Sequence, residues 1–391
     1  MILGVPVESY PGERRVALVP AVVAALTKAG LDVHVEAGAG ERAGFPDAAY
    51  LEQGARIAQT RHYLFSKANI VALVHGPFAA PEAGHSQAET LRTGQVIVGL
   101  LNPLGDPQSA RKLAEKGVTA FALELLPRIS RAQPMDALTA MATVSGYKAV
   151  ILAAAALPRL FPMMITAAGT ITPARVFVVG AGVAGLQAIA TARRLGAVVQ
   201  AFDVRPVVKE QVESLGAKFV ETGLETQGAE GAGGYARAMD EEFYKRQREV
   251  MARVVAESDV VITTAAVPGG KAPLLVTEEM VRGMRPGSVI VDLAAESGGN
   301  CELTHQGETV ETHGITIMGP VNLPSTVHYH ASQMYARNVT AFLQTLVQQG
   351  EVRLNLEDAI LRESLLTHGG EVVNPRVRGL LGLSVANEAP R

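Results

Sequence analysis

The fold is decided by the stretch Val176-Phe177-Val178-Val179-Gly180-Ala181-Gly182-Val183-Ala184-Gly185. An apolar run ends at three glycines with the spacing G-x-G-x-x-G, a helix-like segment follows, and Asp203 closes the next apolar run. This order is typical of the dinucleotide fingerprint of a Rossmann βαβ unit. We expect Gly180 to allow the tight turn, Gly182 to let the backbone approach a pyrophosphate, and Gly185 to let helix and strand pack closely.

The same segment predicts which cofactor is bound. The pyrophosphate would lie on the unpaired N–H groups at the start of the helix. Asp203 would accept hydrogen bonds from the adenine ribose hydroxyls and would repel a 2′-phosphate, which favours NAD(H) over NADP(H). Arg205 weakens this preference, because arginines can contact a 2′-phosphate. A purely structural glycine turn is the alternative.

Composition limits the class of protein. A length of 391 residues allows two or three domains, and 48% hydrophobic residues suffice for large cores. The net charge of −3 carries no basic bias, so no nucleic-acid partner is expected. Cys301 is the single cysteine, which excludes an intrachain disulfide and fits a reducing compartment. No residues have metal-ligand spacing, and the most apolar stretch, Ala149–Leu157, falls short of the roughly 20 residues needed to span a bilayer.

Alternating strand and helix patterns predict an α/β fold. We expect two Rossmann-like, doubly wound parallel-sheet domains joined by long helices, with a ligand cleft between them. The expected boundaries are an N-terminal domain at 1–135 plus 345–391, connecting helices at 136–170, an NAD-binding domain at 171–325, and a returning helix at 326–344. The C-terminal segment would complete the first domain.

Individual elements follow from hydrophobic periodicity and from turn residues. In the first domain we expect a helix at Pro20–Ala29 and strands at Ile2–Val7, Asp32–Glu36, Ile70–Val74, Val96–Leu101 and Val118–Leu123. In the second we expect strands at Val176–Val179, Val198–Phe202, Lys218–Val220, Val260–Thr264, Val289–Leu293 and Ile315–Met318. Residues 134–168 would be mostly helical, and 326–349 would form a second long helix.

Two further segments are candidates for function. Pro127–Asp136 follows a predicted strand and mixes Arg, Gln and Asp at the strand's carboxyl end, where ligands bind in open α/β sheets. A solvated polar loop is the alternative interpretation. Thr226–Tyr235 is rich in glycine, and Tyr235 at its end could close over a bound cofactor. A surface insertion is the alternative there.

Several short segments carry a resemblance to a known family. They are Arg128-Ile129-Ser130-Arg131-Ala132-Gln133, Met135-Asp136, the Gly180 fingerprint, Gly233-Gly234-Tyr235-Ala236, Val291-Asp292-Leu293-Ala294 and Gly298-Gly299-Asn300-Cys301. Together they resemble the NAD(H)-binding domain I of proton-translocating nicotinamide nucleotide transhydrogenase. The likeness runs from the first strand to about residue 370.

That resemblance implies a reaction and partners. The reaction is Re/Si-specific hydride transfer between NADH and NADP⁺ held on a partner subunit, coupled to proton translocation. The implied partners are an NADP(H)-binding domain III, a membrane domain II and a second copy of domain I. The chain would then be cytoplasmic and docked on the cytoplasmic membrane through its partners. Because it ends at Arg391 without a hydrophobic span, it resembles the split form, in which domain I is its own α subunit.

The resemblance also implies residue roles. Arg128 and Asp136 would anchor the loop and the nicotinamide carboxamide. Gln133 would reach towards the second nucleotide, and Tyr235 would cap the site. Thr139, where serine is usual, would keep a hydroxyl for the carboxamide, and Pro134, which replaces another serine, would stiffen the loop. The implied cofactor contacts are Arg128, Ile129, Ser130, Gln133, Asp136, Gly180, Gly182, Val183, Ala184, Gly185, Asp203, Val204, Arg205, Gly234, Tyr235, Thr264, Ala265 and Ala266.

Alanine dehydrogenase is related to this family in fold and shares the pattern Val7-Glu8…Arg14-Arg15-Val16-Ala17-Leu18-Val19-Pro20. In that family a lysine matches His75 and a histidine matches Asn102, and these bind and protonate the keto acid. Their loss argues against amino-acid chemistry, which needs a proton carrier and a cation. Hydride transfer between two nicotinamides needs neither, so we expect a site poor in acid–base groups. An alanine dehydrogenase-like enzyme and a non-catalytic NAD-sensing module are the alternatives.

Overall fold

The structure, a computed structural model, describes residues 1–79, 90–221, 241–267 and 269–384. The chain divides into two compact units. The first unit is Met1–Met141 together with the chain from Pro324 onward, and the second is Ala142–Leu323. The domain boundaries expected from the sequence, with separate connecting helices, remain predictions.

Strands and helices alternate along both units. The strands of the described residues are β1 (Ile2–Val5), β2 (Asp32–Glu36), β3 (Arg56–Ala58), β4 (Ile70–His75), β5 (Val96–Leu100), β6 (Thr119–Ala122), β7 (Met164–Thr166), β8 (Gly169–Ile171), β9 (Arg175–Val179), β10 (Val198–Phe202), β11 (Lys218–Phe219), β12 (Val260–Thr263), β13 (Val289–Asp292), β14 (Thr309–Thr312), β15 (Ile315–Met318), β16 (Val347–Gln348), β17 (Glu351–Val352), β18 (Leu365–His368) and β19 (Glu371–Val372). The α-helices are α1 (Pro20–Lys28), α2 (Asp47–Glu52), α3 (Arg61–Lys67), α4 (Pro107–Glu115), α5 (Ala137–Ala156), α6 (Val183–Arg194), α7 (Lys209–Ser214), α8 (Glu241–Glu257), α9 (Glu278–Arg282), α10 (His328–Leu346), α11 (Ala359–Ser364) and α12 (Pro375–Leu380).

The first unit is built on a sheet with the order β19-β18-β6-β5-β4-β1-β2-β3. From β3 to β6 all neighbours are parallel, whereas β18 is antiparallel to both β6 and β19. The parallel part has the strand order 3-2-1-4-5-6, with its reversal between β1 and β4. The C-terminal segment therefore extends this sheet beyond β6.

The second unit repeats that order. Its sheet runs β11-β10-β9-β12-β13-β15-β14, with every pair parallel except β14 and β15. The first six strands again follow 3-2-1-4-5-6, and the direction of winding reverses between β9 and β12. The predicted α/β class with parallel-sheet, Rossmann-like domains is confirmed.

Strand β9 is buried on both faces of its sheet. Val176 and Val178 pack with Ala188 and other apolar side chains on one face, while Phe177 and Val179 belong to a separate cluster on the other. These four β9 side chains are at most 1% exposed. Burying such a side chain contributes roughly 1.5–3 kcal/mol, which explains the unbroken apolar run before Gly180.

The structure corrects several expected elements. Residues 157–168 are not helical: α5 ends at Ala156, and the chain passes Pro158 and Pro162 into the antiparallel pair β7–β8. Proline lacks a backbone N–H and disfavours helical conformation in the preceding residue, so the helix stops there. The short strands β3, β14, β18 and β19 were not expected; β3, β14 and β19 lie at sheet edges, and β18 pairs with both β6 and β19. The expected helix at 326–349 is shorter at both ends: α10 follows a 3₁₀ turn at Leu323–Val327 and stops before strand β16 at Val347–Gln348.

Helix α5 begins 12 residues before the apolar stretch Ala149–Leu157 and includes most of it. Among the described residues it is the one helix that is long and apolar enough to cross a membrane, judged only by its 20-residue length and mean hydropathy of 1.4. Ala149, Val150 and Ala153 are fully buried in the core of the second unit. These three apolar side chains of α5 therefore pack within the protein.

Gly146 brings α5 against the start of α6. A Cβ atom at this position would overlap the backbone carbonyl of Ala184, which lies within the fingerprint, in the first turn of α6. The close approach holds two helix backbones together where the dinucleotide turn ends. Gly146 therefore supports the fingerprint from a position that lies 34 residues before Gly180 in the sequence.

We expect Gly146→Ala to lower the free energy of unfolding by about 2 kcal/mol, because the overlapped atom belongs to a rigid helix backbone. Thermal or urea unfolding measures this change. Gly379→Ala is the matched control, since α12 leaves open space around Gly379. That substitution should be neutral or stabilise by up to about 1 kcal/mol. Equal stability of the two variants would contradict the packing argument.

Candidate functional site

The three fingerprint glycines each meet a different geometric demand. Gly180 follows β9 with φ of +99°, in the left-handed region. Gly182 caps the N-terminus of α6, with nothing within 4 Å of a Cβ built there, so its backbone is open to a ligand. A Cβ on Gly185 would overlap the carbonyl of Gly180. The turn thus offers an accessible helix N-terminus of the kind that binds phosphate groups.

The end of β12 lies directly against this turn. The Thr264 backbone N–H donates to the Val179 carbonyl at 2.8 Å, and the Thr264 hydroxyl donates to the Gly180 carbonyl at 3.0 Å. A Cβ on Gly180 would lie 2.5 Å from the Thr264 hydroxyl oxygen. The structure therefore brings the predicted Gly180 and Thr264–Ala266 segments together where the sheet winding reverses. Ala266 is exposed at the outer end.

Asp203 lies beside the turn and is already paired. One carboxylate oxygen accepts from the Ala181 N–H at 2.7 Å and from Arg205 Nη2 at 2.8 Å. The other accepts from the backbone N–H and Nε of Arg205 at 2.8 and 2.9 Å. Adenine ribose hydroxyls would therefore have to replace contacts of Arg205. Asp203 and Arg205 act as one neutral pair, and Val204, Val183 and Ala184 around them are half-buried.

The segment after β6 is an ordered 3₁₀ helix, Ser130–Met135, where a polar loop was expected. Ala132 and Met135 are three residues apart, share one face of the 3₁₀ helix, and are 2% and 5% exposed. Asn338 of α10 donates from Nδ2 to the Pro134 carbonyl at 2.8 Å. The outward-facing side chains are exposed: Arg128, Ile129, Ser130, Arg131, Gln133 and Pro134. Buried anchors thus hold a segment whose polar side chains face solvent.

Asp136 and Thr139 bond to each other. One oxygen of Asp136 accepts from the Thr139 N–H at 2.8 Å, and the other accepts from the Thr139 hydroxyl at 2.6 Å. This is the pattern of an N-terminal cap, here at the start of α5. The pair therefore has a structural role apart from any nicotinamide contact. Gly234 and Tyr235, like all of Thr226–Tyr235, lie outside the described residues.

The carboxyl end of the first sheet holds a charged cluster that was not predicted from the sequence. Glu13 accepts from Nε and Nη2 of Arg15 at 2.8 and 2.7 Å and contacts His75 Nε2 at 2.8 Å. Glu8 accepts from the backbone N–H groups of Val74 and His75 at 2.6 and 3.2 Å. The expectation of few acid–base groups is wrong for this end of the sheet. Only the strand order, which places β1 beside β4, brings these residues together.

Burial and pairing shift the acidities of this cluster in opposite directions. Burial raises the pKa of Glu8 to about 8 against the lowering effect of the Val74 N–H. Burial also raises the pKa of Glu124, which follows β6, to about 7. Burial would raise the pKa of Glu13 too, but hydrogen bonds from Arg15 and His75 outweigh it and hold that pKa well below its usual range. No group of three or more His, Cys, Asp or Glu in the described ranges is placed to hold a metal ion.

Known proteins resemble the whole chain. A family model described as alanine dehydrogenase/PNT, N-terminal domain, matches residues 4–145, and its C-terminal counterpart matches residues 149–375. The first part of NAD(P) transhydrogenase subunit alpha from Rhodospirillum rubrum is 47% identical over 97% of this chain and 99% of its own. A solved transhydrogenase from Sinorhizobium meliloti superposes with a TM-score of 0.81 at 42% identity, covering 96% and 99% of the two chains. An L-alanine dehydrogenase reaches a TM-score of 0.80 at 27% identity, covering 98% and 99%.

Fold and site therefore define an α/β protein with two Rossmann-like parallel-sheet units and a turn with the G-x-G-x-x-G fingerprint in the second. The chain belongs to the alanine dehydrogenase/PNT family. Within that family its sequence is closer to these transhydrogenase chains than to the solved alanine dehydrogenase.

The shifted carboxyl groups predict how stability depends on pH. Between pH 4.5 and about 7, folded Glu124 keeps a proton that the unfolded chain releases, so stability falls as pH rises. Glu8 does the same up to about pH 8. Each group should contribute a slope of about 1.4 kcal/mol per pH unit.

Between pH 4.5 and 7 the free energy of unfolding should fall less steeply in Glu124→Gln than in the wild type. The difference should be about 1.4 kcal/mol per pH unit. Urea unfolding at a series of pH values measures it. Glu52→Gln, at an exposed position of α2, is the control and should leave the slope unchanged. Parallel curves for Glu124→Gln and the wild type would contradict the assignment.

Proposed function

We propose that this chain is the NAD(H)-binding α subunit of a proton-translocating NAD(P) transhydrogenase. It would pass a hydride between NADH in its second unit and NADP⁺ on a partner subunit. The observation that carries the proposal is the open dinucleotide turn at Gly180–Gly185, paired with Asp203, in a chain 47% identical to the Rhodospirillum rubrum transhydrogenase α chain.

The residues present fit a dinucleotide. The N–H groups at the start of α6, beside open Gly182, would hold the pyrophosphate, and Asp203 would take the ribose in place of Arg205. Thr264–Ala266 would line the nicotinamide side. The cofactor supplies the hydride chemistry when bound. The chain's own task is then to bind and orient the ring and to exclude water, for which it needs no proton carrier.

The first unit offers a poor site for an amino acid. The Arg15 side chain is 2% exposed, and its charge is balanced by the buried Glu13 carboxylate through two hydrogen bonds. His75 is held in the same group and stacks on Tyr10 with ring centroids 4.3 Å apart. A substrate carboxylate would have to displace Glu13 from a buried pair, which is costly. This supports the transhydrogenase over the alanine dehydrogenase-like alternative.

The proposal includes partners and a location. An NADP(H)-binding domain III would supply the second nucleotide, and a membrane domain II would carry the protons, so the chain would dock from the cytoplasm on the cytoplasmic membrane. The name of the Rhodospirillum rubrum relative, which makes it the first part of an alpha subunit, supports a divided, multi-subunit enzyme. The exposed polar side chains around Gln133 are suited to meeting a partner.

Without a partner, the purified chain should bind NADH. It should neither oxidise alanine nor transfer hydride from NADH to NADP⁺. Adding an NADP(H)-binding domain III from a relative should start hydride transfer, followed by absorbance with a nicotinamide analogue. Alanine oxidation by the chain alone would overturn the proposal. Tight NADH binding without either activity would favour the NAD-sensing module.

Gln133→Ala should slow hydride transfer about tenfold or more in the reconstituted pair. The affinity for NADH should change by less than about 1 kcal/mol, since one hydrogen bond at an exposed site contributes little. Stopped-flow rates and NADH fluorescence titration measure the two quantities. Gln53→Ala, also exposed in the first unit, is the control. A collapse of NADH affinity would make Gln133 an NADH ligand and not a bridge.

The proposed homodimer has a candidate contact in the β7–β8 hairpin. This pair forms a sheet of its own, and its Met164, Ile165 and Ile171 side chains are 40%, 73% and 46% exposed. No charged residue lies between Arg159 and Arg175. An isolated two-stranded hairpin is marginally stable in water, and uncharged open edges favour pairing with another strand. A second copy of the same hairpin matches this uncharged surface.

Ile165→Asp should therefore convert a dimer into a monomer, because it would bury a charge in the contact. Analytical ultracentrifugation at several protein concentrations measures the change. Leu51→Asp, at an apolar residue 55% exposed on α2, is the matched control and should remain dimeric. A monomeric wild type, or a dimer unaffected by Ile165→Asp, would contradict the proposed contact.

A further inference from the structure

The buried side chain of Asn300 hydrogen-bonds to the backbone of Ala265, the residue after Thr264. The Asn300 side chain is fully buried, and its Oδ1 accepts from the Ala265 N–H at 3.0 Å. Its Nδ2 donates to the carbonyls of Ala265 and Pro273, both at 2.9 Å. A single amide thus binds both backbone polar groups of Ala265. Neither peptide beside Ala265 can rotate without breaking one of these bonds.

Asp292 in turn holds Asn300. This fully buried carboxylate ends β13, and its Oδ2 accepts from the N–H groups of Asn300 and Cys301 at 2.7 and 3.0 Å and from the Thr304 hydroxyl at 2.8 Å. Its Oδ1 accepts from the Thr263 hydroxyl at 2.8 Å and from the Ala294 N–H at 3.0 Å. A buried carboxylate is tolerated only when it is satisfied in this way. The network ties the last residue of β12 to the turn that carries Asn300.

The network reaches the dinucleotide turn. Ala265 follows Thr264, whose hydroxyl donates to the Gly180 carbonyl at 3.0 Å. All side-chain hydrogen bonds shown for Asn300 cross to other segments, and two of the three go to Ala265. Asn300 is buried, whereas Thr264 and Ala265 are half-buried and Ala266 is exposed. The amide therefore acts on the inner side of a segment whose outer side is open to a ligand.

We propose that Asn300, held by Asp292, is a positioning residue that fixes the Thr264–Ala266 backbone in the shape that receives the cofactor. The inference rests on the proposed NAD(H) binding. A site held in advance by a buried second layer of hydrogen bonds binds its ligand without first having to order it. Asp292 and Asn300 would therefore raise the affinity for the cofactor without touching it.

Two substitutions of different size test this role. Asn300→Ala removes all three side-chain hydrogen bonds. Asn300→Asp keeps the size but loses both donors and turns a carboxylate towards the carbonyls of Ala265 and Pro273. Each should raise the NADH Kd by about tenfold or more, as expected for losing a buried partner. In the reconstituted pair, KM for NADH should rise while kcat at saturating NADH stays within about twofold.

Asn374→Ala is the matched control. Asn374 is also a buried amide, and it donates to the Glu363 carbonyl and accepts from the N–H groups of Arg376 and Val377 in the first unit. It should lower Tm as the Asn300 variants do, with the NADH Kd unchanged. If the Asn300 variants do not fold, Thr304→Val gives a milder perturbation, since it removes one donor to Asp292. This variant should raise the Kd by about two- to threefold.

The outcomes separate the inference from the function on which it rests. A wild-type chain that binds no NADH would overturn the proposed function. A wild type that binds NADH, with Asn300 variants that keep its Kd despite a lowered Tm, would overturn the positioning role alone. If folded Asn300 variants cannot be obtained, an unchanged Kd for Thr304→Val would do the same. A raised Kd in these variants together with an unchanged Asn374→Ala supports it.

Discussion

The second unit depends on one close approach, that of the turn after β9 to the end of β12. The two strands are neighbours in the sheet, but the chain leaves them in opposite directions, so their carboxyl ends open a crevice. Gly180 can lie against the Thr264 hydroxyl only because it has no side chain and adopts φ of +99°. Gly185 and Gly146 remove two further Cβ atoms from the same region. The shape of the crevice therefore depends on these three glycines, because a side chain at any of them would push the neighbouring segments apart.

Buried carboxylates in this protein divide into two kinds. Asp292 and Asp203 each accept several hydrogen bonds, and Glu13 is paired with Arg15 and His75. Glu8 and Glu124 have fewer such partners, and burial raises the pKa of each. The first kind fixes geometry at the ends of strands. The second kind lowers the free energy of unfolding as pH rises. Both of its members, Glu8 and Glu124, lie at the carboxyl end of the first unit's sheet.

Local signals predicted much of the fold. The fingerprint and the strand Ile315–Met318 were predicted from sequence, because a buried parallel strand is an apolar run ended by a turn. Edge strands such as β14 are short and half exposed, so they carry no such pattern. The Glu8–Glu13–Arg15–His75 cluster and the Asn300–Ala265 contacts join residues far apart in sequence. These residues can be read in the sequence, but only the tertiary structure shows that they are in contact.

The 3₁₀ segment around Gln133 shows why exposure and order can coexist. An exposed loop usually loses conformational freedom when it meets a partner, and that loss weakens binding. Here Ala132 and Met135 are buried, and Asn338 holds the Pro134 carbonyl, so the backbone is ordered beforehand. Pro134 removes further freedom by fixing its own φ. In the proposed function a hydride passes between two rings at close contact, so a chain that supplies one of the rings would gain from meeting its partner with a surface already in place.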